Sequence, residues 1–487
     1  MISRLGYNKN VKEQVIMTIN DILTKINDFM YTYVLIIMLV GVGLYFTIRT
    51  KGVQFRLLGD GIKSMMEKSD NKEGEKKVSS FQALMISTAS RVGTGNIAGI
   101  ATAIAAGGSG AVFWMWLMAL IGGASAFIES TLAQIYKVKK DGQYRGGPSY
   151  YMERALGKRW MGILFSVLLI ICFAYGFNGL QSYNMSSALE YYIEGYADSV
   201  YPMILGIILA AATAFVIWGG VHRIGFITSV LVPVMAVVYI LMGLVTMVLH
   251  ITELPQMFAE IFANAFNFRA MAGGFAGSAV VIGIKRGLFS NEAGMGSAPN
   301  ASASADVEHP VKQGLVQIIS VFIDTILICS STAIMLLVSG VDGVSGVLDG
   351  IPYVQAAISA NVGEWGIHFI TVSIFAFAFS SLIGNYYYAE SNIVFIKDNK
   401  IVMFIFRVTC IVAIFLGAQA DFSLVWNIAD ITMGLMAIVN IIAIFLLGNI
   451  ALKVLNNYEK QKKQGKKPVF HESDIGITET VWNDERR

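Results

Sequence analysis

Ser87-Thr88-Ala89-Ser90-Arg91-Val92-Gly93-Thr94-Gly95-Asn96-Ile97-Ala98-Gly99 interrupts an otherwise apolar run from Phe81 to Ala106. A run of roughly 20 apolar residues crosses about 30 Å of hydrocarbon as a helix. An arginine, hydroxyl residues and two closely spaced glycines are expensive in its middle, and ionisable groups within spans face a protein interior or an aqueous cavity. Gly93 to Ala98 matches the dinucleotide pattern GxGxxA, yet no βαβ unit surrounds it. Gly95 and Gly99 form a small-xxx-small pair suited to close helix packing, which leaves the polar neighbours unexplained. An unwound turn accounts for both. Its freed N–H groups could hold a carboxylate, and its freed carbonyls a cation.

The rest of the chain agrees. Of 487 residues, 55% are apolar and 14% charged, where soluble proteins carry about 25% charged residues. Mean hydropathy is +0.61. A soluble enzyme, which needs a charged coat, is excluded. Eleven spans are expected: Met30–Ile48, Phe81–Ala106, Val112–Tyr136, Met161–Gln181, Tyr201–Trp218, Ile224–Leu249, Met271–Ile284, Val311–Val338, Ile367–Ile396, Ile401–Gly417 and Leu424–Leu447. Lipid leaves no partner for bare backbone groups, so the chain reads as an all-α polytopic membrane protein. Cys172, Cys329 and Cys410 lie in apolar stretches without paired spacing, which argues against disulfides or a zinc site. The first 29 residues lack the apolar core and cleavage site of a removable signal peptide.

Lysine and arginine fall unevenly between the spans. One set of connections, with the tail, carries 30; the other, with the N-terminal segment, carries 5; Arg91 lies within a span. The positive-inside rule then predicts an outer N-terminus and a cytoplasmic C-terminus in a plasma-membrane protein. The tail, with its Lys460–Lys467 run, reads as a solvated cytoplasmic extension, and Val53–Met66 as an interfacial amphipathic helix.

A second irregularity falls in the short seventh span, with Gly273-Gly274-Phe275-Ala276-Gly277-Ser278 and then Gly283 through Gly294. The second and seventh spans lie five apart. With the first span set aside, they open two five-helix units of opposite orientation, the inverted-repeat plan of secondary transporters with a site at the midplane. The expected segments are 1–29 (extracytoplasmic), 30–48 (additional helix), 49–78 (cytoplasmic or interfacial loop), 79–250 and 251–449 (the two repeat units), and 450–487 (tail).

These residues resemble the alanine or glycine:cation symporter family (sodium:alanine symporters). The resemblance rests on Gly107 through Gly122 (GGSGAVFWMWLMALIG), Gly93-Thr94-Gly95-Asn96, Lys285 through Gly294, Gly146-Gly147-Pro148 and Phe322-Ile323-Asp324-Thr325. It runs from about Gly41 to the end of the last span. It implies the neurotransmitter:sodium symporter fold with one extra N-terminal helix, and uptake of alanine or glycine driven by Na⁺ or, in some members, H⁺. The backbone amides of Thr94 and Gly95 would hold the substrate carboxylate, with Asn96 serving substrate or ion. Carbonyls of Ala89 and Val92, with hydroxyls of Ser380 and Ser381, would form the sodium site, an all-oxygen set suited to a hard cation. Ser-Ser replaces the commoner Thr-Ser of that fold. Phe177, Asn178 and Gln181 in the fourth span, and Gly277 and Ser278 in the seventh, would line the substrate.

Arg91 needs a buried acid or a gate, and Glu129, Asp324, Glu390 and Asp430 are the possible partners. Asp324, the deepest acid, is the candidate proton or cation carrier. Glu292 could cap or hinge the seventh helix. No cofactor is expected beyond the co-transported ion, and the partners are a small amino acid, Na⁺ or H⁺ and the lipid bilayer, with no nucleic acid. The rivals are a proton-coupled carrier, an amino-acid-gated channel, and a serine protease built on Gly107-Gly108-Ser109-Gly110 with His250 and His368 near the same face. Trp114 and Trp116 read as interfacial belt residues.

Overall fold

The computed structural model describes residues 20–67, 77–140, 142–266, 278–343, 349–420 and 422–483. Gly277, and with it the start of the expected seventh span, lies outside them. In chain order the helices are α1 (Asn20–Arg49), α2 (Leu58–Met66), α3 (Ser80–Arg91), α4 (Ala98–Gly107), α5 (Gly110–Ile135), α6 (Pro148–Arg154), α7 (Arg159–Ser187) and α8 (Tyr201–Ile217). Then follow α9 (Gly220–Leu249), α10 (Leu254–Ala265), α11 (Ala279–Asn291), α12 (Pro310–Leu337), α13 (Gly350–Val362), α14 (Trp365–Ile396), α15 (Lys400–Gly417) and α16 (Phe422–Lys463). A hairpin of β1 (Val138–Lys140) and β2 (Gln143–Arg145) joins α5 to α6, with Lys139 opposite Tyr144.

Eight of the described helices are long and apolar enough to cross a membrane: α1, α5, α7, α9, α12, α14, α15 and α16. The other three expected spans differ for separate reasons. The second is broken into α3 and α4. The fifth, α8, has only 17 residues. The seventh is described only from Ser278 onward, and it runs on to Asn291 instead of stopping at Ile284.

That extension corrects the charge count. Lys285 and Arg286 belong to a buried helix face and not to a connection. Lys285 Nζ lies 2.7 Å from Asp430, and Arg286 grips the same carboxylate with two contacts of 3.1 Å. Removing them leaves 28 basic residues against 5, so the asymmetry persists. Asp430 is thereby excluded as the partner of Arg91. Asn27 donates to the Asp430 carboxylate (3.3 Å) and Tyr31 to its carbonyl (3.0 Å), which fastens the additional helix α1 to the rest.

Packing sorts the helices into two groups. α5 lies along α11 and α12, while α7 lies along α14 and α15. α3 runs between them, against α9, α12 and α14. Helices α7 and α12 each carry a stretch of wide, π-type turns, Ile170–Phe177 and Phe322–Cys329, and such turns concentrate at functional positions.

Three surface expectations change. Trp114 and Trp116 are half-buried and donate to Ala265 O (3.0 Å) and Ser330 Oγ (2.9 Å), so they tie α5 to its neighbours instead of only marking the interface. The segment from Val53 to Met66 docks on the helices through buried Val53, Gln54 and Leu57, with Gln54 Nε2 on Leu120 O at 3.1 Å. The tail is not simply solvated: α16 continues to Lys463, and the chain beyond it folds back to bury Phe470 and Trp482.

Candidate functional site

The break in the second span starts where α3 ends. A capping box between Ser79 and Gln82 starts α3, and Val92 ends it with ψ 87°. Thr94–Asn96 form one tight turn before α4 begins at Ala98. Gly93 has a negative φ of −139°, so conformational freedom is not why glycine stands there. Space is the reason. A Cβ on Gly93 would collide with the Ser381 hydroxyl and come within 2.9 Å of the Gln181 side chain; one on Gly95 would come within 2.6 Å of the Phe289 ring.

Ser381 Oγ lies 3.0 Å from Ala89 O and 3.4 Å from Val92 O, so three of the four expected cation ligands meet across α3 and α14. Ser381 also lies 3.1 Å from Phe377 O of its own helix. Ser380 stands apart: its hydroxyl donates to Phe377 O (2.8 Å) and faces Met235 Sδ (3.8 Å).

Asn96 closes the break from within. Its Oδ1 accepts from Gly93 N (3.0 Å), and its Nδ2 donates to Asp324 Oδ1 (2.6 Å) and contacts Ser290 Oγ (3.3 Å) and Cys329 Sγ (3.2 Å). Ser290 donates to the other oxygen of Asp324, as does Thr325 at 3.0 Å. Thr332 donates to Asn96 O at 2.6 Å. Asp324 thus sits fully buried in a cage of the Asn96 amide at the break and the hydroxyls of Ser290 on α11 and Thr325 on α12. Gln181 accepts from Thr94 N (3.0 Å), so a substrate carboxylate would take over that amide from it.

The aromatic wall is Phe177 against Phe289 (ring centroids 4.9 Å) and Phe289 against Trp426 (5.4 Å). Asn178 turns away into a chain of amides: Asn385 donates to it (3.0 Å) and accepts from Ser90 (2.7 Å). Ser278 corrects the expected opposite wall. It caps α11 by accepting from Val281 N, 3.4 Å, and lies eleven residues before Phe289, about 16 Å along the helix. Phe289 and Ser290 face the break instead.

The seventh span is interrupted at the end of the Gly283–Gly294 stretch; the glycines at 273–277 lie outside the described residues. α11 ends at Glu292, which adopts φ 54°, and Gly294 and Gly296 follow with φ 82° and 86°. The chain regains one helical turn only at Pro299–Ser302. Glu129 of α5 fills this gap: its carboxylate accepts from Gly294 N (3.3 Å), Gly296 N (3.1 Å) and Asn440 Nδ2 (2.9 Å). Glu292 accepts from Ser297 (2.5 Å) and Ser90 (3.1 Å).

Arg91 is a further correction. Its ion partner is Glu292, at 4.0 Å, and none of the four expected acids. Glu390 pairs with Arg407 at 3.4 Å. The Arg91 side chain is fully enclosed, and its three guanidinium nitrogens make no hydrogen bond among the described residues. Ser290, Phe289, Cys329, Thr332, Asn385 and Trp426 join the site without having been picked from the sequence, whereas Glu292 stands at the helix end where a cap or hinge was expected. Ser290 and Glu292 carried a signal, since both lie in the stretch Lys285–Gly294 that was read as a loop.

Two connected spaces lie one to two turns beyond Gln181. The smaller, about 180 Å³, is lined by Tyr183, Asn184, Ser187 and Asp349, and the larger, about 690 Å³, by Tyr191, Gln355 and Glu364; Glu190 borders both. Ser109 accepts from Asn264 (2.9 Å), while His250 and His368 engage Glu253 (3.0 Å) and Tyr192 (2.7 Å). The protease reading thus lacks its geometry.

Residues 16–472 match the family model described as the sodium:alanine symporter family. The chain is 47% identical to the amino-acid carrier protein AlsT of Bacillus subtilis, over 96% of this chain and 98% of that protein. It is 48% identical to the probable sodium/glutamine symporter GlnT of the same organism, over 91% and 92%. The solved structure of MhsT in complex with L-phenylalanine shares the fold, with a TM-score of 0.52 over 84% of this chain and 94% of its own at 17% identity. With two facing breaks and this match over nearly its whole length, the chain belongs to the sodium:alanine symporter family.

Proposed function

We propose that this chain is a secondary active symporter that imports alanine, glycine or both together with Na⁺ by alternating access. The observation that carries the reading is the pair of facing helix breaks with Ser381 on the carbonyls of Ala89 and Val92. Oxygen donors at a break suit a small hard cation.

In this reading Na⁺ orders the break and raises affinity for the amino acid, and linkage makes the effect reciprocal. The substrate carboxylate takes the Thr94 and Gly95 amides, displacing Gln181, and its small side chain meets Phe177, Phe289 and Trp426. The asymmetry of loop charge supports an outer N-terminus and a cytoplasmic tail in a multi-pass plasma-membrane protein. No catalytic role is assigned to any residue.

Proteoliposomes under an imposed Na⁺ gradient, or an H⁺ gradient alone, test the proposal with labelled alanine. Accumulation that requires Na⁺ supports it. Accumulation on H⁺ alone overturns the sodium assignment in favour of Asp324, whose caged carboxylate is the specific observation for proton coupling. Flux without accumulation would mean a channel. Because the name GlnT speaks of glutamine, unlabelled glutamine belongs among the competitors, and its displacement of alanine at equal concentration would overturn a pocket limited to small side chains.

A further inference from the structure

The folded tail lies over a strategic seam. Residues 302–306 directly follow the inner turn of the seventh span, and they are gripped from several sides. Gln134 Nε2 donates to Ser302 O (2.5 Å) and Ala305 O (3.1 Å), Lys137 Nζ donates to Ala305 O (2.8 Å), and Asp306 N donates to Val78 O (3.0 Å). The tail closes over this grip. Trp482, 1% exposed, donates through Nε1 to Gln134 O at 2.8 Å and meets the Phe470 ring edge to face, 5.5 Å between centroids. Phe470 N donates to Glu308 O (3.0 Å), and its ring abuts His309 just before α12. Lys467 pairs with the Glu308 carboxylate at 2.7 Å. Burial disfavours ionised Glu308, yet hydrogen bonds from Lys467 and Lys312 outweigh it and hold the carboxyl below its usual range. On the other side, Arg154 of α6 donates to Glu479 O (3.1 Å), and α6 packs on α7. The tail therefore bridges α5 and the start of α12, in one helix group, to α6 and α7 in the other.

We infer that the segment Lys467–Trp482 is a latch that holds the inner face shut, so that its release is a step in opening toward the cytoplasm. Rocking of one helix group against the other must separate Gln134 and Glu308 from Arg154, and the tail spans that gap. The known outer cavities beyond Gln181 lie at the opposite end of α7. The inference rests on the transporter reading and on the cytoplasmic orientation proposed above.

The test places a cysteine at Ser304, which is 5% exposed within the segment that Gln134 grips, in the full chain and in three tail variants: truncation after Gln464, Trp482→Ala and Lys467→Glu. Inside-out vesicles are treated with a membrane-impermeant maleimide, and the parent with only its buried native cysteines sets the background. Truncation and Trp482→Ala are expected to speed labelling about tenfold, equivalent to about 1.4 kcal/mol. Lys467→Glu, an exposed change that leaves the core intact, should speed it less. The external half-saturation concentration for alanine should rise about twofold, because a smaller fraction of the protein faces outward. Unchanged labelling and half-saturation in variants inserted at parental levels would overturn the latch. If the truncation fails to insert, the two point variants decide. Separately, a Gln464→Cys protein labelled in intact cells would overturn the orientation instead.

Discussion

The two helix breaks face one another and are held open by opposite means. The second-span break is propped from inside its own sequence: Asn96 returns to Gly93 N, and the glycines make room for Gln181, Ser381 and Phe289. The seventh-span break is propped from outside, by Glu129 of α5 and Asn440 of α16 acting on residues that the local sequence leaves in left-handed conformations. The second-span break adds its own Asn96 prop to the bonds of Gln181 and Thr332 from other helices, while the seventh-span break depends chiefly on a carboxylate from α5. A buried carboxylate that accepts two backbone N–H groups and an amide does the work there of a missing helix turn.

The comparison breaks most sharply at Glu129. Glu129→Ala would orphan Gly294 N and Gly296 N and take from Asn440 Nδ2 one of its two acceptors, and unsatisfied buried groups cost about 1–3 kcal/mol each. Thermal unfolding in detergent should register a loss of about 3–5 kcal/mol. A loss below about 1 kcal/mol would mean that the seventh-span break supports itself like the second.

Next in size is Gly95→Ala. The added methyl meets the Phe289 ring, and overpacking costs about 1–3 kcal/mol. Placed at the site, it should lower alanine uptake on the order of 100-fold, with a smaller change in unfolding temperature than Glu129→Ala. Gly294→Ala is the matching change in the other break, where the difficulty is φ 82° and not space, since its nearest contact is an ordinary 3.6 Å. Left-handed backbone costs an L-residue about 1–2 kcal/mol, so uptake should fall only about tenfold. Equal losses at the two glycines would erase the distinction.

The same contrast explains what the sequence made legible. The second break is visible because its polar and glycine residues are contiguous in an apolar run, and the chain itself must satisfy them. The pairing of the second and seventh spans was visible from spacing alone. The Gly283–Gly294 stretch with its hinge at Glu292 was visible too, but what holds the interruption at 292–298 was not, because the carboxylate that stabilises it lies 165 residues away from Gly294. Lys285 and Arg286 were read as loop charges for a related reason: a buried cation looks like a surface one until Asp430 is seen beside it. Arg91 shows the limit from the other side, for burial was expected while the partner, Glu292, depended on where the seventh helix turns.

The finest test compares neighbouring hydroxyls at the second break. Ser381 reaches across to Ala89 O and Val92 O, whereas Ser380 is occupied by Phe377 O of its own helix. If the break supplies the cation site, Ser381→Ala removes one oxygen ligand and leaves two carbonyls without their partner. A hydrogen bond to a charged group contributes about 1.5–3 kcal/mol, so the Na⁺ concentration for half-maximal uptake should rise at least about tenfold. Ser380→Ala should shift it by less than about twofold, because only a bond within the helix is lost. Equal shifts would restore both serines to the cation site and require Ser380 to rotate when the ion binds. No shift in either would move the ion toward Asp324, and the second break would then be an opening for the substrate carboxylate alone.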